Sequence, residues 1–236
     1  MALPKLNDTL KYEMTIPSSD RQITYRPYLV KEEKILLSAF ESQDEKQAMR
    51  AMMDTVVACV YEDIVSSELA TFDVEYMFTQ IRSKSVGESS NLTVRCQQEE
   101  CDGTTEVSVD LSTVEVFKTD VDNVIQLTDD ISIEMRYPTY DSFVRHYKDG
   151  MTEADFGFAM LEDCVVSIMT EDEQFLASDV SRKELSGFID SMTNKQFEQV
   201  GEFLKTVPAM KKDIEFTCSK CGEDSTITLE GIQDFF

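Results

Sequence analysis

The sequence predicts an α+β fold that combines an N-terminal β-hairpin, helical segments and two cysteine-bearing β-hairpins in a chain of 236 residues. Three observations support this fold class. Apolar and polar residues alternate on both sides of two cysteine pairs, which is the period-two pattern of half-buried strands. Helix-start motifs precede stretches in which apolar residues recur every three or four positions. A further alternating stretch lies near the N-terminus, before the first helical pattern.

The N-terminal hairpin is predicted from two alternating stretches, residues 12–16 and 23–26. A turn-like segment that begins with Pro17 separates them, and Pro27 ends the second stretch. Two short alternating runs joined in this way are typical of antiparallel strands.

Three helices are predicted to follow this hairpin. The first is short and is centred on residues 35–40. The second opens at a capping box formed by Ser42 and Glu45, and the third is capped by Asp73 and ends near Gly87. The apolar stripe of the second helix consists of Met49, Met52, Met53, Val56, Val57 and Val60. We interpret its methionines as core residues, the alternative being a soft, adaptable groove for a partner.

Two segments of the chain share one design: an alternating strand, a turn with two cysteines and a second alternating strand. The pairs are Cys96 and Cys101 in the first segment, and Cys218 and Cys221 in the second. Four thiolates suit a closed tetrahedral zinc site. We therefore predict that the two hairpins converge as a split zinc-ribbon-like module around a structural zinc ion. The alternative is four reduced thiols, or two separate pairs, without metal.

The segment between the cysteine hairpins is predicted to begin with strands at residues 124–127 and 131–135 and to continue as helices. A short helix is expected at residues 141–147. Three capping boxes then open further helices: Thr152 with Asp155, Ser181 with Glu184, and Thr193 with Gln196. Val166 is expected on the first of these three helices.

We expect four regions within one compact unit. These regions are residues 1–90 (N-terminal hairpin and helices), 91–137 (first cysteine hairpin and strands), 138–208 (a helical insertion) and 209–236 (second cysteine hairpin and aromatic tail). Cys59 and Cys164 differ from the paired cysteines because they lie among apolar helix residues, and we expect them to be small buried core side chains.

The composition indicates a folded and strongly acidic protein. Apolar residues make up 42% of the chain, and 46 acidic residues against 22 basic ones give a net charge of −24. Residues 120–173 are denser still, with 14 acids and 3 bases. Nucleic acid and anionic membranes would repel such a chain, whereas basic protein surfaces would attract it. With no secretory signal or membrane-spanning stretch in view, six cysteines indicate a reducing compartment.

Catalytic patterns are missing from the sequence. His146 is the single histidine, and the eight glycines form no phosphate-binding loop. Metalloprotease and serine-hydrolase motifs are also missing. A zinc ion held by four cysteines has no open coordination position, so it would be structural. We therefore expect that the protein is not an enzyme.

Three stretches of the sequence are distinctive: residues 25–37 (YRPYLVKEEKILL), residues 72–87 (FDVEYMFTQIRSKSVG), and residues 216–222 (FTCSKCG) together with the Phe235-Phe236 ending. Together they resemble the baseplate hub assembly proteins of T-even-like contractile-tailed bacteriophages, from the first hairpin to the last residue. The resemblance implies a non-enzymatic role in building the central hub of the tail baseplate in the host cytoplasm. Such a protein acts either as an assembly chaperone or as a hub subunit that stays in the virion.

The function we expect is therefore that of a baseplate hub assembly factor that binds other phage tail proteins, without nucleic-acid, membrane or small-molecule partners. Candidate contact residues are Tyr28, Lys31, Glu33, the acidic stretch from Asp120 onward, Phe235 and Phe236. Aromatic residues contribute disproportionately to binding energy, although the terminal pair could equally pack back on the domain.

A second hypothesis is an acidic zinc-ribbon regulator that binds a host nucleic-acid enzyme or mimics DNA. Zinc hairpins and a net charge of −24 would suit this role. Mimicry requires carboxylates in rows at the spacing of phosphates on one face, whereas ordinary solvation scatters them.

Overall fold

The computed structural model describes residues 10–42, 44–118, 121–148 and 150–235 and confirms the α+β fold. Helices and small antiparallel sheets alternate along the chain, which divides into two compact units. The first unit contains the chain up to Ser66, Phe72–Phe117 and the chain from Ala209 onward. The second contains Ser67–Thr71 and Lys118–Pro208, so its longer part lies in sequence between the two cysteine hairpins.

The first unit begins with the hairpin that the N-terminal alternation predicted. Strands β1 (Tyr12–Thr15) and β2 (Gln22–Tyr25) pair antiparallel, and the buried Met14 and Ile23 lie opposite each other. The helices of this part of the chain are α1 (Val30–Glu41), α2 (Glu45–Cys59) and α3 (Thr71–Val86). On α2, Met52 and Met53 are buried, which agrees with their interpretation as core residues.

Two helix starts differ from the prediction. Ser42 does not open α2 but caps the C-terminus of α1, and Asp44 accepts a 3.0 Å hydrogen bond from the Gln47 N–H. A carboxylate at this position is favoured because it offsets the partial positive charge of the helix N-terminus. Asp73 lies inside the first turn of α3, fully buried, and accepts a 2.8 Å hydrogen bond from the Ser18 N–H. Its carboxylate therefore holds the turn of the N-terminal hairpin, and the residue lies inside the helix instead of at its N-cap position.

Each cysteine pair lies at the tip of an antiparallel hairpin, as the sequence repeat predicted. The first hairpin consists of β3 (Ser89–Arg95) and β4 (Thr104–Asp110). The second consists of β10 (Ala209–Thr217) and β11 (Asp224–Glu230), and β5 (Glu115–Phe117) pairs with the other edge of β10.

The core next to these hairpins includes the C-terminal 3₁₀ turn, Ile232–Phe235. The buried residues of this core are Val109, Leu111, Val114, Met210, Leu229 and Phe235. The Phe235 side chain is 0% exposed, so its ring packs back on the domain and presents no surface to a partner in this conformation. Phe236 lies outside the described residues. The turn also contacts α3, because the Ile232 N–H donates a hydrogen bond to the Glu75 carboxyl group.

The second unit contains a four-stranded antiparallel sheet whose strands follow chain order. These strands are β6 (Val124–Gln126), β7 (Ile131–Met135), β8 (Val165–Thr170) and β9 (Gln174–Leu176). Its helices are α4 (Tyr140–His146), α5 (Glu153–Cys164), α6 (Arg182–Asp190) and α7 (Asn194–Lys205). The core joins sheet and helices through Ile133, Met135, Leu161, Cys164, Val165, Leu185, Ile189, Val200 and Phe203.

Helix α5 ends earlier than predicted, and Val166 lies on strand β8. The β-branched Val165 and Val166 favour an extended backbone, and the alternate residues Val165 and Ser167 face the interior. The stretch of residues 138–208 is therefore mixed, with two strands between its helices.

The other predicted helix starts are confirmed. Ser181 with Glu184 and Thr193 with Gln196 form reciprocal capping boxes, and Thr152 accepts a hydrogen bond from the backbone of its helix. Among the helices in the described ranges, none has the length and apolar character needed to cross a bilayer.

Candidate metal centre

The four predicted metal ligands converge at the tips of the two cysteine hairpins. Cys96 Sγ lies 3.7 Å from Cys221 Sγ, and Cys101 Sγ lies 3.8 Å from Cys218 Sγ. All four sulfur atoms lie within 4.8 Å of one another. Zinc–sulfur bonds of about 2.3 Å in a tetrahedron imply sulfur–sulfur edges of about 3.8 Å. The cluster therefore has the dimensions of a tetrahedral site of four thiolates.

A tight turn positions the second cysteine pair. The Gly222 N–H donates to the Cys218 carbonyl oxygen at 2.9 Å, and the Cys218 N–H donates to the Glu223 carbonyl oxygen at 2.9 Å. Gly222 has a φ angle of +76°, a conformation that glycine adopts without steric cost. The Cys-x-x-Cys-Gly sequence thus orders this turn through its own backbone hydrogen bonds.

The longer spacer of the first pair is ordered in a similar way. The Cys96 N–H donates to the Gly103 carbonyl oxygen at 2.9 Å, and the Cys101 N–H donates to the Gln98 carbonyl oxygen at 3.0 Å. The Gly103 N–H lies 3.4 Å from the Cys101 sulfur and donates to it. The four-residue spacer therefore folds as a closed turn that keeps both thiols at the tip.

Direct contacts join the two tips to each other. The Ser219 N–H donates to Thr105 Oγ1 at 3.0 Å, and Ser219 Oγ donates to the Thr104 carbonyl oxygen at 2.7 Å. An ion pair links Lys220 to Asp102. These contacts bring together residues that are more than a hundred positions apart, so the convergence of the thiols does not depend on the sulfur atoms alone.

Backbone hydrogen bonds favour a thiolate at Cys218, whereas desolvation and the neighbouring thiols raise the pKa of Cys101 and that of Cys221. Backbone N–H groups of Cys221 and Lys220 donate to the Cys218 sulfur and lower its pKa to about 6. Cys218 is also 2% exposed, so little water competes for this sulfur. A thiolate is the form that binds metals, and four of them leave no open position for a substrate. The residues present thus fit a structural metal ion of the zinc type.

Gly103 is a functional position that the sequence analysis did not identify. A Cβ atom placed on it would lie 2.7 Å from Lys220 Cβ and 2.9 Å from Cys218 Sγ. Both distances are shorter than van der Waals contact, so the close approach of the two tips requires a glycine here. The only signal in the sequence is a glycine that follows a cysteine closely, as Gly222 does in the second hairpin.

We expect Gly103→Ala to weaken metal binding and to lower the stability of the first unit by about 1–3 kcal/mol, because the added methyl group forces the tips apart. Chelator competition and urea denaturation measure the two effects. Gly201→Ala is the matched control, since a Cβ there meets no atom within 4 Å and alanine favours the helix. Equal metal affinity in Gly103→Ala and the unmodified chain would contradict the steric argument.

The two unpaired cysteines are buried, as predicted. Cys59 and Cys164 are 1% and 0% exposed. Burial raises the pKa of the Cys59 thiol to about 11 and that of the Cys164 thiol to about 12. Both are therefore neutral core side chains at physiological pH and poor nucleophiles.

The candidate contact residues of the first distinctive stretch lie at the start of α1. Tyr28 is half-buried, and its N–H donates to Ser85 Oγ at 2.9 Å. Glu33 is half-buried as well, whereas the Lys31 side chain is 71% exposed and contacts Glu32. The structure thus presents Lys31 to solvent and leaves part of the other two side chains accessible.

A comparison with known protein families gives a match over residues 9–236 to the family described as T4 bacteriophage base plate protein. Comparisons with curated proteins and with solved structures gave no match. The matched range includes α1, α3 and both cysteine hairpins, on which the resemblance in the sequence rests. The chain therefore belongs to the T4 bacteriophage base plate protein family.

Proposed function

We propose that the protein acts in phage tail morphogenesis as a baseplate hub assembly factor that binds other tail proteins without catalysing a reaction. The family match over residues 9–236 is the observation that carries this proposal. In this proposal the protein acts in the host cytoplasm during assembly, either as a chaperone or as a hub subunit that remains in the virion baseplate. Its partners are other baseplate hub and tail proteins, and the acidic surface favours basic faces on them.

The distinctive stretch at residues 25–37 supports a binding role because only part of it is needed for the fold. Arg26 forms an ion pair of 2.7 Å with Glu32, which also accepts a 2.9 Å hydrogen bond from the Leu29 N–H. Burial opposes ionisation of Glu32, but the bonds to Arg26 and Leu29 outweigh it and lower its pKa to about 2. On the other side of α1, Val30 and Leu37 are 63% and 55% exposed.

We assign the outward side of α1 to partner contact, with Tyr28, Lys31 and Glu33 as candidate contact residues. Two exposed aliphatic side chains beside charged ones are typical of the border of a protein interface. In this assignment the buried Phe235 stabilises the core and does not contact a partner. A structural zinc ion on Cys96, Cys101, Cys218 and Cys221 stabilises the unit that carries α1.

The proposal is tested by co-expressing the tagged chain with all hub and tail proteins of the same phage and recovering the complexes. We expect at least one tail protein to be recovered in a fixed ratio. Leu37→Asp should abolish this recovery, whereas Val124→Asp, on strand β6 of the second unit, replaces an exposed aliphatic residue elsewhere and should not. Recovery of no tail protein, with every hub component present, would overturn the proposal. Detection of the chain in purified virions distinguishes a retained subunit from a released chaperone.

A further inference from the structure

The second unit contains a cleft of about 480 Å³ in which three arginines converge. They are Arg136 after β7, Arg145 on α4 and Arg182 on α6, and they are all the arginines that residues 118–208 contain. The cleft also holds two acids, Glu162 and Asp163. Counted with Asp141, which pairs with Arg145 at the margin, three guanidinium groups meet three carboxylates, so the cleft is close to neutral in a chain whose net charge is −24.

The guanidinium groups are only partly used by the protein itself. Asp163 accepts from Arg182 at 2.6 Å and from Arg145 at 3.4 Å. Glu162 accepts from Arg182 at 3.1 Å, and Asp141, at the margin, pairs with Arg145.

Arg136 is engaged differently. Its Nε donates to the Asp163 carbonyl oxygen at 3.0 Å, while its two terminal nitrogens have no partner among the described residues. The Arg136 side chain is exposed, so these donors face solvent and are accessible to a ligand.

An apolar groove of about 240 Å³ adjoins the arginine cleft. The two share Val180 and Leu185, and the groove is lined further by Ile168, Phe175 and Phe188. Glu184 also borders the groove, and its carboxylate accepts hydrogen bonds from Ser181 of its own helix. Phe175 lies on β9, an edge strand of the sheet, and is 43% exposed. A ligand that spans both sites therefore carries an anionic group next to an apolar one.

We propose that this cleft binds an acidic peptide segment of a partner protein. A carboxylate of the segment accepts hydrogen bonds from Arg136 and Arg182, and a neighbouring apolar side chain enters the groove beside Phe175. Arginine suits this role because its planar fork of donors matches a carboxylate. The strongly negative chain as a whole repels long polyanions such as nucleic acid, whereas a short peptide brings only a few charges. The inference does not depend on the proposed role in the baseplate hub.

The test is fluorescence polarisation with the full-length chain and a fluorescein-labelled hexapeptide of alternating leucine and glutamate. We expect saturable binding that weakens with added salt, because charge contacts contribute to it. Arg136→Gln should weaken binding about tenfold, the effect of losing one charge-assisted contact. Lys195→Gln is the matched control, since it removes a positive charge from α7 and should leave the affinity unchanged.

A charge exchange makes the test specific. Arg136→Glu should lose the acidic hexapeptide and gain affinity for the same peptide with lysine in place of glutamate. Absence of binding, equal affinity of Arg136→Gln and the unmodified chain, or displacement of the peptide by a single-stranded oligonucleotide would each overturn the proposal. Because the peptide and the purified chain suffice, failure here is separable from failure of the co-expression experiment.

Discussion

Replacing Cys101 or Cys221 with serine is expected to remove a bound zinc ion and to unfold the two cysteine hairpins together. Each variant leaves three thiolates, and the serine hydroxyl stays protonated and does not replace the fourth. The unfolded chain cannot hold the ion, because Cys101 and Cys218 are 117 positions apart and closing that loop costs entropy. Metal binding therefore stabilises only the folded unit, and structural zinc sites contribute about 10 kcal/mol or more.

Elemental analysis of the untagged protein should give one zinc per chain, and none in either serine variant. Cobalt substitution gives a second measurement, since a tetrahedral thiolate site produces characteristic ligand-field absorption. Urea denaturation should show loss of the first unit at much lower urea, whereas the second unit has its own core around Ile133 and Val200 and should persist.

Cys59→Ala and Cys164→Ala are the matched controls. Each removes one thiol, but from a helix in a core and away from the cluster. We expect unchanged zinc content and a loss of about 1 kcal/mol from the small cavity. A wild-type protein without metal, with the same stability as Cys101→Ser, would show that the thiol cluster is not a metal site.

The sequence predicted the four thiols and their convergence, but not the contacts that bring the two hairpin tips together. Alternation around Cys96 and Cys218 is a local signal, so it located β3, β4, β10 and β11 correctly. Convergence depends on contacts such as Ser219 with Thr104, between residues 115 positions apart. Sequence spacing carries no information about such contacts. The need for glycine at position 103 arises from the same long-range approach, which is why it was missed.

Errors in the fold prediction have local causes. Strand β8 follows α5 without a turn residue between them. The predicted helix was therefore extended over Val166, although the β-branched residues that favour a strand begin there. Ser42 and Asp44 are both good N-caps, and the hydrogen-bonding carboxylate took the position. The sequence around Phe235 is compatible with an exposed side chain and with a buried one. The apolar space beside Leu111 and Met210 decides this, and that space exists only in the folded chain.

Replacing Glu75 with glutamine is expected to stabilise the protein increasingly as the pH rises. Burial raises the pKa of the Glu75 carboxyl group from 4.5 to about 7, and the hydrogen bond from the Ile232 N–H only partly offsets this. The folded state thus keeps a proton that the unfolded state has lost. The stabilising contribution is complete below pH 4.5, falls as the pH rises and is gone above about pH 7. Glutamine does not titrate and still offers an oxygen to the Ile232 N–H.

Between pH 5.5 and pH 8.5 the gain of Glu75→Gln over the unmodified chain should therefore grow by about 2 kcal/mol, since one pKa unit corresponds to about 1.4 kcal/mol. Urea denaturation at each pH measures it, and comparison at equal pH cancels the shared titration of the thiols. Glu41→Gln, at an exposed position on α1, is the control for the loss of one negative charge outside the core and should not reproduce the gain of Glu75→Gln. A pH-independent gain for Glu75→Gln would mean that this carboxyl group is ionised and hydrated in the folded protein. The C-terminal turn would then be held by the packing of Phe235, without help from a neutral acid beneath Ile232.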